Sequence, residues 1–212
     1  MTPTMVMMLK SPAPGRVKTR LAADIGGQEA CAAYRRLVEH QIGWIPAAWR
    51  LEVHFDPPGA HNAMRAWLGK RPVYIPQTDG DLGVRLTVAL EGAEPGVSGM
   101  SPPSSRFPLL FLGGDCPYLD EAALVEAAKS LESHDVVLGP AVDGGYVLIG
   151  MNTPHPELFR GIAWSTELVL GQTLERARGA GLSMALLPVL EDVDDLASWE
   201  RAQGVLNRRQ LS

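Results

Sequence analysis

Four basic side chains and no acidic one lie in the stretch KSPAPGRVKTR, from Lys10 to Arg20. The apolar run TMVMML precedes it, so the Pro-Ala-Pro-Gly bend is expected to leave a strand and enter a helix. Such a loop offers free backbone N–H groups and the positive end of a helix, to which lysine and arginine add full charges. These features predict a phosphate site. The stretch matches neither a Walker A loop nor a GxGxxG fingerprint, so a solvated basic loop is the alternative interpretation.

Aspartates follow other strand-like runs, at positions suited to holding a metal ion. Asp115 comes after LLFLGG, where glycines let another group approach the backbone and a carboxylate can hold Mg²⁺ or Mn²⁺ against phosphate oxygens. It is also suited to cap the turn that follows. Asp143 lies in a Val-Asp-Gly-Gly sequence, which equally reads as an ordinary hairpin turn. Asp192, Asp194 and Asp195 follow SMALLPV, although Asp194 or Asp195 is equally suited to cap the last helix.

A smaller motif, QTDGDLGVRL (77–86), follows the third strand-like run and contains Asp81, Gly83 and Arg85. A flat base or a ribose could lie against the bare backbone of its glycines. The five histidines show no HxH or HExxH spacing, which argues against a zinc site. No G-x-S-x-G sequence is present, so the motif of a serine hydrolase is lacking.

The overall composition restricts the class of partner. The chain of 212 residues has a formal net charge of −5, so its basic cluster is local and a nucleic-acid partner is not expected. Cys31 and Cys116 fit neither a disulfide framework nor a CxxC zinc pattern, which favours a reducing cytoplasm. The first apolar run is too short for a signal peptide, and no run reaches the roughly 18 residues of a membrane span. We therefore expect a soluble protein without a membrane partner.

Short apolar runs alternate with segments of helical period, which is the pattern of repeated βα units in an α/β fold. Most runs lack polar alternation, which indicates a mainly parallel sheet covered on both faces. The predicted strands are 4–10, 50–56, 73–77, 108–115, 135–141, 145–151 and 183–189. The fifth and sixth are expected to form a hairpin, so the sheet should be mixed. We expect one domain over residues 1–212.

Three helical stripes are expected to pack onto this sheet. Their apolar positions are Ala30, Ala33, Tyr34, Leu37, Val38 and Ile42, then Leu124, Val125, Ala128 and Leu131, then Leu168, Thr173, Leu174 and Ala177. The second of these helices should begin near Asp120, after Pro117. The stretch 94–107 is rich in Pro, Gly and Ser, and is predicted to be a surface loop.

Six motifs in a fixed order resemble a known family. They are KSPAPGRVKTRL, DGDLGVRL, GGDCP, GPAVDGGYVLIGM, AWSTELVLGQTLERA and DVDDL, and the likeness runs from about Met5 to Trp199. Together they resemble the DUF2064 family of nucleotide-diphospho-sugar transferases, also called selenodomain-associated or arsenosugar-biosynthesis glycosyltransferases. The chain departs from the family pattern at the second Gly of GGDCP and after the Tyr of GGYVLIG, and neither departure removes a charged residue.

The resemblance implies a GT-A fold, a three-layer α/β/α sandwich with a mixed, mainly parallel sheet, related to the molybdopterin and phospholactate nucleotidyltransferases. It implies phosphate ligands at Lys10, Gly15, Lys18 and Arg20, and neighbours of the nucleoside at Asp81, Gly83 and Arg85. It implies Mg²⁺ or Mn²⁺ as the cofactor, with candidate metal ligands Asp115, Asp143 and Asp192. Asp143, with Gly144 and Gly145, would face the acceptor or a second metal. The candidate catalytic residues are Asp115, Asp143 and Lys18.

Three functions stay open on these residues. The leading hypothesis is a metal-dependent glycosyltransferase that uses a nucleotide sugar and a small-molecule acceptor. The second is a nucleotidyltransferase that joins a nucleoside monophosphate to a phosphorylated acceptor and releases pyrophosphate, which the multiply basic first loop favours. The third is a non-catalytic nucleotide-binding protein, which the retained carboxylates argue against. In either transfer, stabilisation of charge on the leaving phosphate oxygens would supply most of the catalysis.

Overall fold

A computed structural model describes residues 2–92 and 106–208. In this part of the chain one sheet contains β1 (Thr4–Lys10), β2 (Arg50–Asp56), β3 (Val73–Pro76), β4 (Leu109–Leu112), β5 (Val136–Pro140), β6 (Tyr146–Met151) and β7 (Met184–Leu186). The helices are α1 (Thr19–Ile25), α2 (Gly27–Trp44), α3 (His61–Leu68), α4 (Leu82–Glu91), α5 (Glu121–Ser130), α6 (Val169–Gly179) and α7 (Leu196–Arg208). No helix among the described residues is long and apolar enough to cross a membrane.

The strand order in the sheet is β3-β2-β1-β4-β6-β5-β7. β6 runs antiparallel to both of its neighbours, β4 and β5, whereas the remaining pairs are parallel. The predicted mixed sheet and the predicted β5–β6 hairpin are therefore confirmed. β4 and β7 are shorter than expected: β4 ends at Leu112, directly before the two glycines, and β7 ends at Leu186, two residues before Pro188. The carboxyl ends of the parallel strands meet at one edge, where ligands bind in folds of this kind.

Alternate side chains of the central strand β1 enter two different cores. Met7 and Leu9 pack on one face of the sheet with Val38 of α2. Val6 packs on the other face with Leu90 of α4. Because helices cover both faces, the strands are buried on both sides, as the lack of polar alternation predicts. The architecture is the expected three-layer α/β/α sandwich.

A third cluster of buried side chains lies away from the sheet, among α1, α2 and α7. Leu21 of α1 and Leu37 of α2 pack there against Trp199 and Ala202 of α7. This packing holds the beginning of the chain against its last helix. The loop before α1 and the segment before α7 are thereby fixed close to each other.

The apolar stripe of α2 is buried as predicted except for the half-buried Ile42, whereas one position in each of the other two stripes is exposed. Val125 is 45% exposed, because the face of α5 that meets the core carries Leu124 and Ala127, three positions apart. Leu168 is 53% exposed, because it is the residue before the first turn of α6 and lies outside the helical stripe. The predicted helix start after Asp120 is confirmed, since its carboxylate accepts a hydrogen bond from the N–H of Ala123.

The stretch 94–107 divides into two parts. Residues 94–105 lie outside the described residues. Arg106 and Phe107 are buried, so the surface-loop prediction is wrong at this end. The Arg106 guanidinium donates to both carboxylate oxygens of Glu52 in β2 and, over 3.0 Å, to the carbonyl of Ala89 in α4. A charged side chain can be buried here because a carboxylate and a carbonyl accept its hydrogen bonds.

Glu52 is fully buried and would be unstable as an unpaired anion. Burial alone would raise the pKa of this carboxyl, but the hydrogen bond from His54 and the charge of Arg106 outweigh it and lower the pKa to about 2. Arg50 also donates to it, over 2.7 Å. A pKa below the ordinary value of 4.5 means that this cluster stabilises the fold above about pH 4.5 and ceases to do so as the pH falls toward 2.

Replacing Arg106 by methionine should lower the free energy of unfolding by about 3–5 kcal/mol at pH 7, because a buried carboxylate would lose its bidentate partner. Urea denaturation measures this loss. The difference in the free energy of unfolding between the wild type and the variant should become smaller as the pH falls from 4.5 toward 2. The control is Arg201→Met, which removes an exposed arginine paired with Glu191 and should change stability little. An equal loss of stability in Arg106→Met and Arg201→Met would contradict the conclusion that the Arg106 ion pair matters because it is buried.

Candidate active site

A cleft of about 470 Å³ opens at the carboxyl ends of β1 and β4. Its volume falls within the roughly 300–1,000 Å³ of small-molecule sites. Five segments contribute its polar lining: the end of β1 with the first loop, α2, the segment after β4, the segment before α6 and the segment before α7. The polar or charged lining residues are Lys10, Lys18, Thr19, Arg20, Tyr34, Asp115, Ser165 and Asp194. Three of the phosphate candidates, Lys10, Lys18 and Arg20, therefore line the same cleft as the metal candidate Asp115.

Lys18 lies at the centre of this cleft. Its backbone is in the left-handed region, with φ 47° and ψ 51°, directly before the first turn of α1. Its Nζ donates to Asp115 Oδ2 over 2.8 Å and to Asp194 Oδ1 over 3.1 Å, and the side chain is only 7% exposed. Burial would lower the pKa of Lys18, but the two carboxylates outweigh it and raise the pKa. The side chain is therefore a buried ammonium ion.

The other basic residues of the first loop are more accessible. Arg20 is 77% exposed and its Nη1 lies 3.3 Å from Asp194 Oδ2. The side chain of Lys10 is exposed and lines the cleft. Gly15 turns the loop with φ 75° and lies so close to the start of α2 that a side chain at Gly27 would reach within 3.1 Å of its nitrogen.

Tyr34 of α2 fixes the point where the first loop leaves β1. Its hydroxyl accepts a hydrogen bond from the N–H of Lys10 and donates one to the carbonyl of Lys10, each over 3.0 Å. Burial raises the pKa of Tyr34, so the phenol stays neutral and can make both bonds. One side chain thus satisfies both backbone groups of the last residue of the strand.

Three carboxylates form a compact group beside Lys18. Asp115, Asp192 and Asp194 each present an oxygen within 4.8 Å of the other two. The N–H of Val193 donates to the carbonyl of Asp115 over 2.9 Å and joins the two segments that carry them. A Cβ at Gly114 would lie 2.7 Å from Leu9, so only glycine lets the segment before Asp115 pack this closely against β1.

Asp192 differs from the other two carboxylates because it has no ion pair among the described residues. Burial, followed by the charges of Asp115, Asp143 and Asp194, raises the pKa of Asp192 to about 6. Two cations, Lys18 and Arg20, pair with Asp115 and Asp194 of these four carboxylates, so Asp192 keeps a negative charge that no neighbouring cation among the described residues offsets. Hard oxygen donors at this spacing fit Mg²⁺ or Mn²⁺.

The structure brings together only part of the predicted metal set. Asp115 and Asp192 belong to the compact group, whereas Asp143 does not. The Oδ1 of Asp143 accepts a hydrogen bond from the N–H of Gly145 over 2.8 Å, as in the hairpin-turn interpretation, although its charge acts on Asp192. Asp194 takes the third place, and Asp195 is the cap of α7, since its Oδ1 accepts from the N–H of Ser198.

The spacing of the last acidic segment could have identified Asp194. Asp192 and Asp194 lie two positions apart, a spacing that puts two side chains on the same side wherever the chain is extended. The structure brings an oxygen of each within 4.8 Å of the other and of Asp115. Asp195 points elsewhere and is free to cap the helix.

The predicted neighbours of the nucleoside lie beside the cleft rather than in its lining. The carboxylate of Asp81 caps α4 by accepting from the N–H of Val84 over 2.9 Å. Arg85 donates to Gln77 Oε1 and to the carbonyl of Gly80. Both side chains thus have structural partners in this structure, and their contact with a nucleoside stays a prediction.

Gly83 packs tightly on one side of its backbone. A Cβ at this position would lie 2.4 Å from the carbonyl of Phe159 and 2.7 Å from Trp164 Nε1. Gly83 also lines, with Asp81, a separate cavity of about 300 Å³, and its contact with a nucleoside also stays a prediction. The glycine is needed because α4 packs directly against the segment 156–164.

The lining of the cleft also contains Ser165, which the sequence analysis did not single out. Ser165 has φ 64°, an uncommon conformation for a residue other than glycine. The turn that carries Asp143 packs against the same segment, since a Cβ at Gly144 would lie 2.4 Å from the carbonyl of Glu167. The N–H of Leu170 also donates to the carbonyl of Gly144. The sequence feature that could have identified Ser165 is its place in the AWSTELVLGQTLERA motif.

Replacing Asp192 by asparagine should raise the melting temperature of the metal-free protein at pH 8, because the cleft would lose an uncompensated negative charge. A pKa raised to about 6 means that ionisation destabilises the fold, fully so above that pH. The gain should shrink as the pH falls toward the ordinary aspartate value of 3.8. Melting curves in EDTA measure it, with Asp79→Asn, an exposed carboxylate away from the cleft, as the control. A gain independent of pH would contradict this assignment.

The family model of uncharacterized proteins conserved in bacteria, DUF2064, matches residues 46–166, which is more than half of the chain. The matched part includes β2 to β6 and Asp115. No curated protein matches the chain.

Solved structures are similar over almost the whole chain. A candidate nucleotide-diphospho-sugar transferase from Desulfovibrio desulfuricans G20 is 26% identical, with TM-score 0.83 over 98% of both chains. A CMP:2-keto-3-deoxy-manno-octonic acid synthetase solved with CTP is 12% identical, with TM-score 0.57 over 99% of this chain and 100% of its own. The Rv0371C protein of Mycobacterium tuberculosis H37Rv, solved with manganese, is 16% identical, with TM-score 0.50 over 95% of this chain and 98% of its own.

The two more distant structures share the fold only, whereas the family match rests on the sequence itself. The TM-score of 0.83 over 98% of both chains shows that this chain has the same fold as the Desulfovibrio desulfuricans protein. The chain therefore belongs to the DUF2064 family and has the nucleotide-diphospho-sugar transferase fold.

Proposed function

We propose that this protein is a metal-dependent transferase that uses a nucleotide-activated donor, with a nucleotide sugar as the donor and a small molecule as the acceptor. The observation that carries the proposal is the meeting of basic and acidic groups in one cleft, with Lys18 against Asp115 and Asp194. A cleft with cations alone would suit a free anion. Cations beside a group of carboxylates suit a phosphate that arrives with a divalent metal ion.

Asp115, Asp192 and Asp194 would hold the metal, because their oxygens lie close together and the cleft has an excess of negative charge. Bound there, Mg²⁺ or Mn²⁺ would neutralise the phosphates of the donor and stabilise charge on the leaving oxygen. The manganese in the Rv0371C structure supports this assignment at the level of the fold. Asp143, near but outside the compact group, is proposed to face the acceptor.

The first loop is proposed to bind the phosphates. Lys10, Lys18 and Arg20 line one wall of the cleft and can donate charge-assisted hydrogen bonds. Tyr34 holds the start of this loop, so the basic side chains begin from a fixed backbone position. Ser165, and the turn of Asp143 that packs against the segment after it, are proposed to contact the acceptor. Holding donor and acceptor between two fixed walls supplies orientation for the transfer.

A nucleotidyltransferase is the second candidate. Three basic side chains in one loop suit a triphosphate donor, and the CMP:2-keto-3-deoxy-manno-octonic acid synthetase of similar fold was solved with CTP. The two reactions differ in their products. Transfer of a sugar releases a nucleoside diphosphate, whereas transfer of a nucleoside monophosphate releases pyrophosphate. The retained carboxylates of the cleft argue against a protein that only binds nucleotides.

Changing both Lys18 and Arg20 to alanine should weaken donor binding by roughly 100-fold or more, because two charge-assisted hydrogen bonds would be lost. A thermal-shift screen of nucleoside triphosphates and nucleotide sugars with Mg²⁺ or Mn²⁺ first identifies the donor. Calorimetry then measures its affinity. Lys70→Ala, an exposed lysine outside the cleft, is the matched control. Unchanged affinity in the double variant would support the alternative interpretation, in which the first loop is a solvated basic loop that does not bind the donor.

Asp115→Asn should abolish the metal-dependent stabilisation by the donor and reduce transfer by orders of magnitude, because the charge that a hard cation needs is removed while the shape is kept. Product analysis of the wild-type protein separates nucleoside diphosphate from pyrophosphate and thereby the two reactions. The Asp79→Asn variant should transfer normally. If Asp115→Asn unfolds without ligand but binds metal and donor normally when folded, Asp115 has a structural role and the proposed mechanism is wrong.

A further inference from the structure

Lys18 occupies the position between two of the carboxylates that would hold the metal. Its Nζ lies 2.8 Å from Asp115 Oδ2 and 3.1 Å from Asp194 Oδ1, and both residues belong to the compact acidic group. The side chain is 7% exposed, so these two oxygens replace most of the water around the ammonium. The structure therefore shows the ammonium of Lys18 at the place where the proposed function expects a metal ion.

An ammonium and a divalent metal ion compete for the same carboxylates. Lys18 Nζ lies on Asp115 Oδ2 and Asp194 Oδ1, and a metal ion that binds these oxygens at the short distances of about 2.0–2.1 Å typical of Mg²⁺ would lie close to the ammonium. The two like charges would repel each other strongly in a partly enclosed cleft. Metal binding at these oxygens therefore displaces the ammonium of Lys18 from Asp115 and Asp194.

The chain around Lys18 allows such a movement of the side chain alone. The backbone is held by the buried side chain of Val17 on one side and by α1 on the other. The side chain makes no cap to its helix, and its two side-chain hydrogen bonds are those to the carboxylates. Four methylene groups let a lysine ammonium turn to a new partner without moving the backbone.

We propose that Lys18 is an exchangeable internal cation: it neutralises Asp115 and Asp194 before the metal arrives, and the metal displaces it toward the phosphates of the donor. This rests on the metal site of the proposed function. The exchange makes metal binding weak as long as the ammonium has no other partner. A donor phosphate supplies that partner, so metal and donor bind with positive coupling, and each increases the affinity of the other by the same factor.

The neighbouring cations do not share this role. Arg20 contacts only Asp194 of the acidic group, over 3.3 Å, and is largely exposed. Lys10 lines the same cleft but has no ion pair among the described residues. Lys10 is therefore the matched control for a positive charge that is near the cleft and does not compete with the metal.

The first measurement is the affinity of the EDTA-treated full chain for Mn²⁺ without nucleotide, from the electron paramagnetic resonance signal of free Mn²⁺. Lys18→Met keeps the length and removes the charge, and Lys18→Asn suits the left-handed backbone if the methionine variant folds poorly. Either variant should bind Mn²⁺ at least tenfold more tightly than the wild type. Lys10→Met should bind it like the wild type. Equal affinities of the wild type and both Lys18 variants overturn the proposal.

The second measurement follows Lys18 itself in the wild-type protein. Acetylation by an amine reagent, analysed by peptide mass spectrometry, should be slow at Lys18 without metal, relative to the exposed Lys70 and Lys129. Saturating Mn²⁺ should increase the rate at Lys18 at least fivefold and leave the two reference lysines unchanged. An unchanged rate at Lys18 overturns the exchange even if the affinities differ. If no variant binds Mn²⁺, the metal site of the proposed function fails and the exchange fails with it.

Discussion

The ion pairs of Lys18 with Asp115 and Asp194 connect residues that are 97 and 176 positions apart in the sequence. Each of these groups would be unfavourable alone, since a half-buried carboxylate among other carboxylates and a buried ammonium both lose hydration. Together they allow the first loop, the exit of β4 and the segment before α7 to converge. The cleft, its excess negative charge and the raised pKa of Asp192 all follow from that convergence.

The antiparallel strand in an otherwise parallel sheet brings a fourth segment to the same edge. β6 pairs with β4 so that Leu148 faces Leu112, and the N–H of Gly113 donates to the carbonyl of Val147. When two neighbouring strands are antiparallel, one begins at the edge of the sheet where the other ends. The turn before β6, which carries Asp143, therefore lies beside the end of β4. If β6 ran parallel to β4, this turn would lie at the opposite edge of the sheet.

The sequence predicts the elements well, because burial on both faces of the strands produces apolar runs without alternation and a hairpin produces Asp-Gly. It predicts contacts between elements less well. The sequence around Arg106 does not indicate that its side chain is buried, because its partner Glu52 lies 54 positions away, in β2. Gly83 suggests an open backbone, whereas the segment 156–164 packs against one side of it. Asp194 rather than Asp143 joins the compact group, because only the folded chain decides which carboxylates come within a few ångströms of each other.

The hydrogen bond from Arg106 to the carbonyl of Ala89 joins two points that are 17 positions apart. The chain thus leaves α4 and re-enters the sheet at nearly the same place, held there by the ion pair of Arg106 with Glu52. One guanidinium therefore links α4, β2 and the entry to β4, so a change at Arg106 would loosen three elements of the frame around the cleft at once.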